Sequence, residues 1–249
     1  PSHSPVAPKR EGFNVHVIDH LSREGLVEKY RPHGVNTDLI EEVDFIWDGR
    51  TYAELVGARE SYDWILASHV IEHTPDLLGF LGQCDEILTD NGILSLAIPD
   101  KRNCFDHYRP ISGLGSVIDA SINPGRVHTP GIVAEYFLNV SSKAGLIAWA
   151  PDQVGERKLI HDLDDAKRGM ATALAGTYLD VHHWCFVPSS FRLMMRDLHD
   201  LGLTRLRELA FHPGEGVEFF MKLGRRGGGF SEDRKEVLSR ILEECSDYL

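Results

Sequence analysis

The chain has 249 residues, 42% hydrophobic and 26% charged, an ordinary globular composition long enough for one domain with an insertion. Its 26 Lys plus Arg against 38 Asp plus Glu give a formal net charge of −12, which leaves no basic footprint for gripping a nucleic acid. No apolar run reaches the ~20 residues needed to cross a bilayer and the start lacks a signal-peptide segment. The cysteines, Cys84, Cys104, Cys185 and Cys245, form no CxxC pair, so neither a disulfide framework nor a zinc knuckle is indicated, and a soluble cytoplasmic protein is expected.

The predicted elements alternate. Phe13 to Asp19, "FNVHVID", alternates and is β-branched, and "LSREGLVEKY" after it has apolar spacing suited to a helix. Glu41 to Trp47, "EEVDFIW", predicts a strand closed by Asp48-Gly49, with "TYAELVG" a short helix. Tyr62 to Ser68, "YDWILAS", predicts a buried strand, Asp76 to Leu88 an amphipathic helix, and Asn91 to Pro99 a second buried strand. Strands alternating with helices at this pitch predict an α/β fold with a parallel, doubly wound sheet.

From about residue 100 to 187 the rhythm breaks. This Gly-, Pro- and His-rich segment, with "HYRPISGLGSVIDA" and "HTPGIVAEYF" as helical pieces, is far longer than an ordinary connection and is expected to be an insertion with functional content. Ser189 to Leu203 then predicts a capped helix, and "TRLRELAFH" and "VEFFMKLG" an antiparallel terminal pair. "GRRGGG" predicts a flexible linker, and a helix from Ser231 carries Val237, Leu238, Ile241, Leu242 and Cys245 on one stripe, for docking on the domain, a neighbouring domain or a second copy. The organisation expected is 1–223 as the main domain, 224–230 as linker and 231–249 as C-terminal helix.

Thirteen histidines are many for this length, and they mark either a His-rich pocket or capping and surface positions. "SHVIEH", Ser68 to His73, has the H-x-x-E-H spacing of a class of zinc peptidases. That chemistry needs both histidines on one helical face. Here the first His follows a strand directly and Pro75 disfavours helix at Thr74, so at most one turn fits. No metal ligand is assigned. Were a divalent ion bound, His107, His128, His182 and His183 of the insertion are favoured over the H-x-x-E-H spacing.

The stretch "YDWILASHVIEHTPDLLGFLGQCDEILTDNGILSLAIPDK" resembles the fourth-to-fifth strand region of class I S-adenosylmethionine (SAM) dependent methyltransferases, similar to the type 11 group: an Asp opens the strand, a "hvleH" turn follows, and a helix leads into a "L.pgG.l.l..P" strand. "HHWCFVPSSFRLMMRDLHDLGL" resembles the same family's "H...f....l..ll...Gf" segment. The resemblance spans about residues 1–223 and is weak within the insertion. It implies a Rossmann-like, mostly parallel seven-stranded sheet with SAM as cofactor across the carboxyl ends of the strands.

On that resemblance Asp19, with His20 beside it, falls where the family's acid accepts bonds from the ribose hydroxyls, a task suited to a carboxylate; a capping Asp is the alternative. Asp48 and Gly49 fall near the adenine or form a turn, and Ser68 and His69 fall near the methionine moiety and the methyl group. The opening "PSHSP" resembles the tail of the family's Gly-rich loop, which places Ser2 among the cofactor contacts and implies that the family's first strand lies upstream of Pro1. Methyl transfer to a hydroxyl needs a base, for which His69 is named first and His107 and His183 in reserve. Lys101, Arg102 and Arg109 either bind an anionic group of the acceptor or form a solvated rim. The function implied is methyl transfer to a hydroxyl or amine of a small molecule or sugar; the alternative is an inactive, methyltransferase-like scaffold domain of a polysaccharide-assembly protein.

Overall fold

The computed structural model describes residues 4–214 and 216–246, and the chain divides into two compact units, 1–61 and 62–249. The first unit contains β1 (Ile18–Asp19), α1 (Arg23–Tyr30), β2 (Phe45–Ile46) and α2 (Tyr52–Val56). The two strands pair in parallel, Ile18 opposite Phe45 and Asp19 opposite Ile46. Both are far shorter than the alternating stretches that predict them. One cause is Asp44, whose side chain accepts the Val17 N–H at 2.7 Å, so the amide just ahead of β1 bonds to a carboxylate instead of extending the ladder. The helices start where their caps are. Ser22 accepts from the Gly25 N–H at 3.3 Å, and Thr51 and Glu54 form a reciprocal capping box.

The second unit runs β3 (Tyr62–Ser68), α3 (Leu77–Ile87), β4 (Leu88–Pro99), α4 (Leu114–Ile122), α5 (Pro130–Asn139), β5 (Ser141–Lys143), β6 (Arg157–Leu159), α6 (Leu163–Leu174), α7 (Pro188–Asp200), β7 (Arg207–His212), β8 (Glu218–Gly224) and α8 (Arg234–Ser246). Its main sheet has the order β3-β4-β8-β7. β3 and β4 are parallel, while β8 runs antiparallel to both β4 and β7. The α/β class is as expected, but among the described residues the second unit's main sheet is mixed and four-stranded, and the β1-β2 pair of the first unit is a separate sheet. The short loop between β7 and β8 dictates the antiparallel pairing, because a parallel crossover needs a dozen or more residues.

The β4 core side is carried by Leu94, Leu96 and Ile98, all buried at alternate positions. β3, by contrast, is not the buried strand its apolar run predicts. It pairs with β4 alone, so it is an edge strand among the described residues, and only Ala67 in it is buried. α3 is capped by Asp76, whose Oδ1 accepts the Gly79 N–H at 2.8 Å, and it buries Leu77, Phe80, Leu81, Cys84 and Ile87.

Of the predicted helical pieces of the insertion, the second forms as α5, with Thr129 as cap and Pro130 in the first turn, and the first forms only from Leu114 onward, as α4. α6 and the β5-β6 hairpin complete the insertion. α6 opens on a capping box between Asp162 and Asp165 and packs so close to α5 that a Cβ on Gly169 would sit 2.7 Å from the Phe137 ring. α8 docks through Val237 and Ile241 onto Val187 and Leu193, with Ile111 and Phe230 alongside, while Leu238 and Leu242 of the same stripe stay exposed. The Gly-rich segment before it packs along β7: Gly229 N–H bonds to Glu208 O at 3.0 Å, and a Cβ on Gly227 would lie 2.4 Å from Arg207 O. Among the described residues no helix is long and apolar enough to cross a membrane.

Candidate functional site

The sheet register assembles a polar cluster at one edge. Ser68 lies opposite Ala97 in the parallel β3-β4 pair, and Pro99 lies opposite Glu218 in the antiparallel β4-β8 pair. The residues leaving β3 and β4 therefore meet the first residue of β8, which puts His69, Asp100 and Glu218 at the carboxyl ends of the parallel strands. His69 N–H extends the ladder by one bond, to Ala97 O at 3.0 Å. The backbone then turns sharply, with His69 itself at φ +53°, a left-handed conformation that costs an ordinary residue about 1 kcal/mol or more. Its imidazole is held between carboxylates: Nε2 lies 2.5 Å from Glu218 Oε2 and Nδ1 lies 3.4 Å from Glu72 Oε1. Burial works to lower the His69 pKa, but the two carboxylates outweigh it and hold the pKa above the ordinary imidazole value.

The H-x-x-E-H segment is a single 3-10 turn, Ile71–His73, and Thr74 is already extended, as the following proline requires. A peptidase-like helix face is thereby absent. Glu72 is instead drawn inward. Its side chain is 1% exposed, and its backbone oxygen accepts the N–H groups of His183 at 2.6 Å and Trp184 at 3.2 Å, which pins the end of the insertion onto the turn. Trp184 Nε1–H adds a bond to Thr74 O at 2.7 Å. This docking sets two further histidines around Glu72. His73 Nε2 and His182 Nε2 each lie 4.0 Å from Glu72 Oε1, and neither Glu72 oxygen has a hydrogen-bond partner. The opposite nitrogens face carboxylates: His73 Nδ1 lies 3.0 Å from Asp180 Oδ1, and His182 Nδ1 lies 2.5 Å from Asp106 Oδ2.

Behind His182 is a buried ionic network. Arg109 Nη1 donates to Asp106 Oδ1 at 2.9 Å and to His182 O at 2.8 Å, and Nη2 donates to Glu135 Oε1 at 3.2 Å. Burial alone would raise the Asp106 carboxyl, but His182 and Arg109 hold it below its usual value. Arg109 is thus an internal strut rather than an acceptor-binding cation. Its two companions in that expectation are also engaged, Arg102 with the Asp100 carboxylate and Lys101 Nζ with His107 O at 2.7 Å.

The reserve bases turn elsewhere. His107 is buried with Nδ1 3.0 Å from Arg102 O, and burial lowers its pKa. His183 Nδ1 lies 3.1 Å from His128 Nδ1, a contact that takes one proton between two neutral rings. Burial pushes His183 down to about 3 and His128 down to about 4. Of the three named bases only His69 is partly open, with its side chain 31% exposed. Ser68 ends β3 immediately before it. Glu218, Asp106 and Asp180 were not legible as site residues; the one sequence signal for Glu218 is its place as the first polar residue of a predicted strand.

In the first unit, Asp19 ends β1 and its Oδ1 accepts the His20 N–H at 2.7 Å and lies 2.5 Å from His20 Nδ1. Asp48 receives Arg50 Nε at 2.9 Å and the Arg50 N–H at 3.1 Å, with Gly49 at φ +92° between them. That is an Asx-type turn, the second of the two roles open to Asp48. Ser2 lies outside the described residues.

No known protein-family model matches the chain. A curated protein with local similarity is "Ubiquinone biosynthesis O-methyltransferase" of Rhodopseudomonas palustris (strain HaA2), 43% identical over 47 residues. The matched stretch spans 19% of this chain and 19% of that protein, and it supports a methyltransferase in general.

Proposed function

We propose that the chain is a class I-like methyltransferase that moves a methyl group from SAM to a hydroxyl or amine of a small molecule or sugar. The local similarity to an O-methyltransferase carries the reading. A polar cluster at the carboxyl ends of β3 and β4 supports it, since open α/β sheets place ligands there. SAM supplies an electrophilic methyl group when bound. On the resemblance, Asp19 at the end of β1 and Asp48 just after β2, both in the first unit, are the proposed ribose and adenine contacts; each bonds a neighbour in sequence, His20 or Arg50.

His69 is the proposed base. Glu218 at Nε2 and Glu72 at Nδ1 hold its ring and stabilise the imidazolium formed on proton uptake. The positive φ at His69 is a local strain of the kind found where a side chain is aimed for function. A second reading, a non-catalytic binding domain, draws on the same engagement of Asp19 and Asp48 by their neighbours.

Calorimetric titration with SAM and S-adenosylhomocysteine separates the two. Binding is expected, and Asp19→Ala should weaken it by roughly 1.5–3 kcal/mol, the scale of hydrogen bonds to a charged group. Absence of binding to the folded chain would favour the scaffold reading.

A further inference from the structure

We propose that Glu72, His73 and His182 form a binding site for a divalent transition-metal ion. Each offers one ligand atom, and the three atoms lie within 4.8 Å of one another. The strongest pointer is Glu72 itself. A carboxylate 1% exposed to solvent, with no well-aligned hydrogen bond on either oxygen and only His69 Nδ1 at 3.4 Å as a cationic neighbour on Oε1, is costly to keep, and it suits further positive charge aimed at it.

The two histidines are arranged to accept a cation rather than to donate protons. His182 Nδ1 bonds the Asp106 carboxylate, which favours the tautomer with the proton on Nδ1, while His73 Nδ1 lies 3.0 Å from Asp180 Oδ1 as an ion-pair contact without hydrogen-bond alignment. Both Nε2 atoms lie 4.0 Å from Glu72 Oε1. Where neither Nε2 carries a proton, the two nitrogens and the carboxylate repel one another, and a cation reverses the sign. Carboxylate–histidine pairs behind the ligands are the usual outer arrangement of such sites.

The dimensions agree. Bonds of about 2.0–2.2 Å in a tetrahedral site set ligand atoms roughly 3.4 Å apart, so each 4.0 Å separation closes by about half an ångström through small side-chain rotations. Two imidazoles and one carboxylate suit zinc and its first-row neighbours over magnesium or calcium, which prefer oxygen. Three protein ligands leave a coordination position for water or a substrate oxygen. The site joins the H-x-x-E-H turn to the insertion, and among the histidines favoured from the sequence it takes His182 alone. It does not require methyl transfer, although Glu72 Oε1 also lies 3.4 Å from His69 Nδ1.

The test uses the tag-free full chain, stripped with chelator and titrated with Co(II), followed by Zn(II) competition. One equivalent should bind, with the visible absorption of a low-coordinate site. Glu72→Gln, His73→Ala and His182→Ala should each weaken Co(II) binding by more than ~100-fold, the upper end of what loss of an outer partner alone costs. Asp180→Asn, on a half-exposed residue, should weaken it by ~10–100-fold with the circular dichroism spectrum unchanged. His199→Ala, on the surface of α7, is the control and should bind as wild type. No Co(II) or Zn(II) binding by the folded wild-type chain would overturn the proposal. So would wild-type affinity in Asp180→Asn together with wild-type affinity in any ligand variant that retains its circular dichroism spectrum. SAM affinity measured on the same preparations reports separately on the methyltransferase reading.

Discussion

Arg109→Met tests whether the buried network behind His182 holds the second unit together. Arg109 is 1% exposed, and its guanidinium satisfies Asp106, the His182 carbonyl and Glu135 while lying 5.6 Å over the Tyr136 ring. Methionine keeps most of the side-chain volume, so little of the loss comes from a cavity. What remains is electrostatic. Asp106, itself buried, keeps His182 but loses its guanidinium, and the His182 carbonyl loses a donor; Glu135 is one-third exposed and can turn to water. Breaking a buried pair by removing one partner costs about 3–5 kcal/mol. For a unit of this size each kcal/mol moves the thermal midpoint by roughly 2–4 °C, so the midpoint should fall by about 6–20 °C in scanning calorimetry. Arg109→Lys should not restore it, because an ammonium cannot span three acceptors in that fork geometry. Adding Asp106→Asn to Arg109→Met should recover part of the loss by removing the stranded charge. A drop below about 1 kcal/mol in the single variant, or no recovery in the double, would refute the account.

The base assignment predicts that His69→Asn loses roughly 10²- to 10⁴-fold in turnover while SAM affinity stays near wild type; a loss confined to SAM binding would make His69 a cofactor contact. Ile241→Ala should cost about 2 kcal/mol, the low end for a buried Ile→Ala because one side of α8 faces solvent, and Leu242→Ala on the exposed side should be silent in urea denaturation. In the first unit, burial raises the Asp44 carboxyl, but Lys9 and the Val17 N–H lower it more, so its folded pKa lies below the unfolded value of about 3.9. That tie stabilises the fold fully above the unfolded pKa and is lost as pH falls through the folded one. Urea midpoints measured from about pH 5 down to about pH 3 should therefore fall less steeply in Asp44→Asn, and identical slopes would remove Asp44 from the acid transition.

Local chemistry was legible in part: the helices expected to open at Ser189 and Ser231 form, but they start from Val187 and Asp233 instead. Ser22, Thr51 and Asp76 start helices because their side chains accept the N–H three residues on. Pro75 stops the H-x-x-E-H turn because its ring excludes helix at Thr74. The apolar alternation of β4 and the antiparallel terminal pair follow from period and loop length. The edge position of β3 did not follow, because an apolar run of seven residues looks the same whether one neighbour or two cover it.

The site is a different matter. His69 meets Glu218 across 149 positions only because β8 enters the sheet antiparallel beside β4, with Glu218 opposite Pro99. His182 meets Asp106 across 76 positions, and His182 meets Glu72 because the His183 and Trp184 amides dock on the Glu72 carbonyl. No local period encodes a side-chain encounter of that span. The sequence by itself determined which histidines and carboxylates are present and where the backbone turns, and the tertiary structure alone decided which of them share a charge.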